Sequence, residues 1–445
     1  MNDQYSALYQ SYQWLVPSQF NIAQACVHRW AQNPVEGRRI AIFHENSQGQ
    51  REVWTYTRLS DTAKQLANGL VKMGIRAGDR IAVVTEQRPE TVAAFIAIFS
   101  VGAIALPLSP WLGANGLATR LQDAEARVAI VDDAGADSLL QAQTQCPALT
   151  QIIGLNFQHE AIIPWRSLLA RQEPRFQDVL TRSSSAALLI YAPNSVAAPK
   201  GTLLGHQTLI GNLPGFVAAQ NWFPQSGDVL WSPADWNSAD GIMSALLPTL
   251  YFGHAIVSTS GQSTPGHAFE VMARYQVSNV FLPADLLQAM MQHTPLPREQ
   301  YPLGLRAIAS SGASLSPQVA AWCTEALGVT PNETFGCTEM NHLIGNSHKK
   351  WPVRPGSMGR PYPGHQVAVL DKAGNPCRTG QTGEIALNRH DIHGHPDPLL
   401  FLGYWRNDLA TQAKFKDDWC LSGEMARVDD QGYYWYAGPN NDAPA

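Results

Sequence analysis

The sequence predicts an α/β protein: two α/β subdomains with parallel-rich sheets, followed by a smaller β-rich subdomain. Three observations carry this. From Thr57 to Asp133, helical stretches alternate with short, continuously apolar strands. The alternation resumes between about Ala186 and Gly336. From about Gly359 the texture changes to strands split by the turn sequences DKAGN and DDQG. Apolar strands separated by helices belong to parallel sheets covered on both faces, whereas turn-punctuated strands pair antiparallel. The expected blocks are residues 1–185, 186–355 and 356–445.

In the first block, Leu59, Ala63, Leu66, Leu70 and Met73 recur at helical spacing, with Thr57 as a candidate N-cap and Gly74 just past the end. Residues 80–84 (RIAVV) read as a buried strand. The run TVAAFIAIFSVGAIAL, residues 91–106, falls short of the roughly 20 residues a membrane span needs. Gly102 and Pro107 also interrupt it, so it reads as a buried helix over 89–101 and a strand over 103–108. A helix over 117–126 and a strand over 128–131 complete the block. In the second block, strands are expected at 187–191, 229–232, 256–259, 279–282 and 306–310, with helices such as 206–220 and 239–252 between them. In the third, strands are expected at 367–370, 384–387 and 433–437.

Composition narrows the function. Lys and Arg number 31 and Asp and Glu 36 in 445 residues, a net charge of −5, so no basic footprint points to a nucleic-acid partner. Apolar residues make up 45%, enough for sizeable cores, and charged residues only 15%, which suggests a covered face: a protein partner or a homo-oligomer. The six cysteines form no CxxC pair, which argues against a zinc knuckle or dithiol site; scattered thiols fit a reducing, cytoplasmic setting. The N-terminus lacks a basic stretch followed by an apolar core, so it does not read as a secretory signal. With no GxxxxGK[ST], GxGxxG or GxSxG motif, a Walker-type NTPase, a dinucleotide dehydrogenase and an α/β-hydrolase elbow are all unsupported.

Other segments fall into an order with more content: APNSVAAPKG (192–201), PADW (233–236), SSGASLSP (310–317), ETFGCTEM (333–340), RPGSMGRPYPGH (354–365), TGEI (382–385), FLGYW (401–405) and DDWCLSGEMARVDDQGYYWYAG (417–438). In order and spacing this set resembles the adenylate-forming acyl-CoA synthetase superfamily, most like its medium-chain acyl-CoA and aryl-CoA branch, from about Tyr12 to Asp442. The resemblance implies a two-step reaction. A carboxylate attacks the α-phosphate of ATP to give an acyl-adenylate and pyrophosphate, and a thiol, usually coenzyme A, then displaces AMP. Such chemistry depends on positioning and charge neutralisation.

The resemblance also implies roles. Lys200, Thr338 and Glu339 take catalytic positions on the phosphates, with Glu339 holding Mg²⁺ as a hard carboxylate ligand. Gly312, Ala313 and Ser314 line the adenine pocket, Phe335 stacks on the base, Ser195 lies in the phosphate loop and Glu424 holds the ribose. Asp235 and Trp236 border the acyl pocket, although a lone Trp fits a core position equally well.

Departures from the family pattern gather at the nucleotide. The family's phosphate loop reads like TSGTTGxPKG. Here Pro193 brings no amide hydrogen, Asn194 and Ala197 replace glycines, and Ser195 alone keeps a hydroxyl. Such a loop is expected to hold a triphosphate weakly. The family's TGD aspartate is Glu424, and the arginine of its GR motif is Pro439, which offers no guanidinium. The family continues for about another hundred residues into a C-terminal lid domain, which the chain is expected to lack.

The leading expectation is therefore a degenerate homologue that binds an acyl ligand or a protein partner after losing or altering ATP-dependent adenylation. Two alternatives stay open: a residual or partner-assisted ligase using ATP, Mg²⁺ and coenzyme A, and a repurposed pocket with ATP-independent chemistry. Cys337 could face the old phosphate site or be a buried structural thiol. The run HDIHGHP (390–396) is either a metal-binding turn or a polar loop. His206 reads as structural.

Overall fold

A computed structural model describes residues 3–192, 200–261 and 263–440. It contains three sheets. The first has eight strands in the order Gly403–Tyr404, Gly201–Gly205, Ala186–Tyr191, Ile104–Pro107, Arg80–Val84, Val128–Val131, Gln151–Gly154 and Ile163–Pro164. The second has nine: Arg360–Pro361, Met340–Gly345, Asn332–Cys337, Ala307–Ser310, Asn279–Phe281, Val229–Trp231, Ala255–Thr259, Ile40–Glu45 and Arg51–Thr55. Both are parallel through their middles; the second is antiparallel at both edges, the first only at its Gly403–Tyr404 edge, since Ile163–Pro164 pairs parallel. The third is antiparallel throughout, built from Val367–Leu370, Thr382–Asn388, Phe415–Lys416, Trp419–Val428 and Tyr434–Pro439.

Period-2 alternation explains the packing of the first two sheets. In Arg80–Val84, Ile81 and Val83 face a central core, while Ala82 and Val84 face the outer layer of Leu117, Leu121 and Leu139. The central core also takes Ile42, Leu230 and Ile256 from the second sheet, so the two sheets sandwich one apolar layer. The helix Pro89–Val101 lies within it, buried at every residue except Glu90. That is why its sequence is apolar all round without being a membrane span. Among the described residues, no helix is long and apolar enough to cross a membrane.

The sheets cut across the expected blocks. Ile40–Glu45 and Arg51–Thr55 belong to the second sheet. Ala186–Tyr191 and Gly201–Gly205 belong to the first, and Gly403–Tyr404 from the third block closes its edge. A strand's own pattern records which faces are buried but not which strand lies beside it. This last strand carries chemistry to the site.

Candidate active site

The site is built at the edge of the second sheet. Asn332–Cys337 and Met340–Gly345 pair antiparallel, and Cys337 lies opposite Met340, so Thr338 and Glu339 form the connecting turn. Phe401 donates its amide to the Glu339 carbonyl at 3.0 Å, tying this turn to the segment that enters Gly403–Tyr404. That short strand pairs with Thr202 and Leu203, just past the phosphate loop. Three distant stretches of chain thus meet at one carboxylate.

The Tyr404 hydroxyl donates to Glu339 Oε1. Lys414 Nζ stands 3.8 Å from the same oxygen and donates to the Ser422 carbonyl at 3.2 Å. Lys200 Nζ lies over the Tyr404 ring, 5.8 Å from its centroid, a cation–π arrangement. Burial, reinforced by the Glu339 charge, holds the Tyr404 hydroxyl far above the usual phenol range, so it stays a proton donor. Burial pulls Lys414 down more than any one neighbour raises it, but Glu339, Cys337, Cys420 and Glu384 together outweigh burial and the net shift is upward, which keeps the ammonium charged. Burial followed by the Glu339 charge raises the Cys337 thiol well above its ordinary value, and burial pushes Cys420 up to about 12. Neither thiol is poised as a nucleophile.

These groups border a cavity of about 580 Å³ lined by Lys200, Tyr404, Lys414, Lys416, Glu384 and Met425, among others. Glu384 is already satisfied: Gly423 donates its amide to Oε1 at 2.8 Å and Asn440 Nδ2 donates to Oε2 at 2.9 Å. Glu424 and Pro439 are direct cross-strand partners, so the two changed ribose-side positions form one spot. The Tyr436 hydroxyl donates to Glu424 Oε2 at 2.7 Å.

The adenine-side residues lie in the loop after Ala307–Ser310. Gly312, at φ +87°, Ala313 and Ser314 are exposed. Leu315 donates its amide to Glu333 Oε1 at 2.6 Å, which joins this loop to the strand bearing Phe335. Burial raises the Glu333 carboxyl to about 7. Phe335 is part-buried against the central core.

On the acyl side, Trp236 is fully buried in the central core, and its indole N–H meets no acceptor among the described residues. Asp235 accepts from Asn237 N at 3.0 Å and Nδ2 at 2.9 Å, and burial raises its carboxyl. Gly241 lies in the first turn of the following helix, which begins at Ala239, and packs against the turn bearing Asp235. A Cβ there would stand 2.0 Å from the Asp235 carbonyl oxygen.

Ser195 and the phosphate-loop residues 193–199 lie outside the described residues. In the HDIHGHP run, Asp391 Oδ1 accepts the amides of His393 (2.9 Å) and His395 (2.8 Å), the geometry of a polar turn. Among the described residues, no three or more His, Cys, Asp or Glu side chains gather to hold a metal. His206 is buried, accepts the Ile22 amide at Nδ1 (3.2 Å) and is lowered to about 4 by burial.

At Glu339 one of the two carboxylate oxygens is already engaged. A hydroxyl donor and an ammonium already share Oε1, and a second cation beside Lys414 would be repelled. The sequence motifs missed Lys414 altogether and contained Tyr404 only as part of FLGYW. The available signal was a Lys beside Phe415, an aromatic packed against the central core.

Comparison with known proteins adds the following. A family model described as AMP-binding enzyme matches residues 27–405. The chain is 26% identical over 431 residues to an uncharacterised acyl-CoA ligase of Bacillus subtilis, covering 96% of this chain and 78% of the relative. It is 27% identical over 429 residues to a benzoate–CoA ligase of Thauera aromatica, with the same coverage. An acyl-CoA synthetase structure from Brucella canis superposes with a TM-score of 0.89 at 22% identity, covering 99% of this chain and 80% of that one. An anthranilate CoA ligase solved with anthranoyl-AMP gives 0.84 at 23%, covering 96% and 79%.

Proposed function

Because the chain belongs to the AMP-binding enzyme family, we propose that it binds an acyl or aryl carboxylic acid on the ligase scaffold, with magnesium-dependent adenylation lost or weakened. The observation that carries this reading is the engagement of Glu339 Oε1 by the Tyr404 hydroxyl and the Lys414 ammonium, both of which compete with Mg²⁺ for that oxygen. The altered loop at 193–199 and the Glu424–Pro439 pair support it, because both remove contacts to the nucleotide. Relatives named as benzoate–CoA and anthranilate CoA ligases support a carboxylate ligand of the aryl or acyl class.

A second reading, residual ligase activity, rests on Tyr404 bringing Lys200, over its ring, and Glu339, at its hydroxyl, to one place. Calorimetric titration of MgATP and of AMP, with Glu339→Gln alongside, separates the two. The expected result is no saturable, Mg²⁺-dependent ATP binding up to millimolar nucleotide. Saturable binding that needs Mg²⁺ and weakens in Glu339→Gln overturns the proposal, and acid-dependent pyrophosphate exchange would then establish the ligase.

A further inference from the structure

A second cavity, of about 490 Å³, shares no lining residue with the one beside Glu339. Two charged residues of opposite sign, Lys64 and Asp178, line it. We propose that this cavity binds a free α-amino acid with an apolar side chain, Asp178 holding the ammonium and Lys64 the carboxylate.

The walls are fixed before any ligand arrives. A π-helical turn, Gln24–His28, contributes both of its end residues to the lining, and such turns recur at functional sites. His28 is buried, with Nδ1 hydrogen-bonded to Ser60 Oγ at 2.8 Å and Nε2 to Ser100 Oγ at 2.9 Å. Burial, helped by the Lys64 charge, lowers it to about 3, so it adds no charge to the wall at neutral pH. A further wall, residues 176–181, is tied to its neighbours by backbone and hydroxyl bonds. Thr181 Oγ1 donates to the Phe20 carbonyl at 2.7 Å, Phe20 donates its amide to the Thr181 carbonyl at 3.1 Å, and Val179 donates its amide to the Ser100 carbonyl at 2.8 Å. A wall held in this way spares a ligand the cost of ordering it.

The two charges act on each other without touching. Lys64, on the helix Tyr56–Lys72, is felt by Asp178 through space. Among the described residues, however, the basic nitrogen paired with Asp178 is His28 Nε2, 3.6 Å from Oδ1. Burial raises the Asp178 carboxyl, and Ser100 and Lys64 draw it back toward its ordinary range. Asp61, one turn before Lys64 on the same helix, also feels the ammonium but does not line the cavity. The surroundings therefore carry no positive excess. That disfavours a plain anion and suits a ligand that bears both signs on one carbon. The side-chain amides of Gln24, Gln32 and Gln177 line the cavity with no protein partner among the described residues. Each offers donors and an acceptor to the ligand's remaining polar groups. Val179 and Leu180 line the same cavity and are 39% and 79% exposed, apolar surface that an aliphatic side chain would cover. The volume falls in the range of small-molecule sites.

The test is isothermal titration of leucine into the full chain near neutral pH, with Lys64→Gln and Asp178→Asn in parallel. Isoamylamine, which lacks the carboxylate, and isocaproate, which lacks the ammonium, are the companion probes. Leucine is expected to bind, and isoamylamine to bind about tenfold or more weaker, since one charge-assisted contact is missing. Lys64→Gln should weaken leucine by about tenfold and leave isoamylamine unchanged, whereas Asp178→Asn should weaken both. Isocaproate is a plain carboxylic acid and reports on the acyl site proposed above. Its affinity should be the same in parent and variants, so a failure of that proposal and a failure of this one show in different titrations. Absence of leucine binding up to about 10 mM would overturn the assignment. So would isoamylamine or glutamine binding as tightly as leucine, isocaproate losing as much affinity as leucine in Lys64→Gln, or both variants binding leucine like the parent. Thermal melts check folding. Lys64 is only half-buried on its helix, so Lys64→Gln carries the test should Asp178→Asn unfold.

Discussion

Glu333 shows how a single buried carboxyl couples the site to pH. It sits on the strand leading to Glu339, and burial raises its pKa from the usual 4.5 to about 7. The folded protein therefore keeps a proton that the unfolded chain loses between about pH 4.5 and 7. Stability conferred by this group falls as pH rises through that window and levels off above it. Glu333→Gln keeps an acceptor for the Leu315 amide and removes the titration. It should match the parent near pH 4.5 and be more stable by about 3 kcal/mol at pH 8, read by urea unfolding at both values. Equal stabilities at pH 8 would show that Glu333 ionises without penalty. Glu333 itself is plain in the sequence as part of ETFGCTEM, but its burial is not, because the Leu315 loop that covers it returns from a separate strand crossing.

The elements were largely legible. Residues 80–84 and 128–131 are strands with the expected bounds, and 89–101 is the expected helix. Each carries a local periodicity that burial enforces. The ten-residue strand Trp419–Val428 was hidden because Gly423 and its neighbours break the alternation. The helix expected over 239–252 forms, but it widens to π geometry over Ile242–Leu246. Its first turn packs closely at Gly241. Gly241→Ala would press a methyl group onto the Asp235 backbone carbonyl, which cannot swing aside like a side chain. A loss of about 3 kcal/mol is expected in chemical denaturation. Gly304→Ala, with no atom within 4 Å of the added methyl, serves as the near-neutral control. Between elements, Asp228 at the head of Val229–Trp231 accepts from Arg306 Nε at 3.0 Å, Ser278 Oγ at 3.0 Å and Gln225 N at 2.7 Å. Asp228→Ala strands these donors and should cost about 3 kcal/mol, whereas a change near zero would show that water replaces the carboxylate.

At the scale of the whole molecule, the N-terminal segment is stitched to the stretch 361–365, remote from it in sequence. Tyr5 and Tyr9 donate their hydroxyls to the carbonyls of Pro361 and His365, and the Trp14 indole donates to Gly364 O, each at 2.9 Å. Removing residues 1–14 should lower stability by about 3 kcal/mol and speed amide exchange at Tyr362 and His365, with little change at Ile81 in the central core. Uniform acceleration across all three positions would mean that the N-terminus supports the entire fold rather than this seam.

By itself the sequence determined the α/β class, most strands and helices of the first two sheets, and the family resemblance. Each of these is written in local periodicity or in short motifs whose order survives without knowing where they lie in space. Only the tertiary structure decided which strands share a sheet and what faces Glu339. The neighbours of that carboxylate, Tyr404 and Lys414, come from chain far beyond its own hairpin, and no local pattern encodes a distance between remote segments. The same folding that brings Glu339 to the site places an ammonium beside it, a neighbour that no motif names.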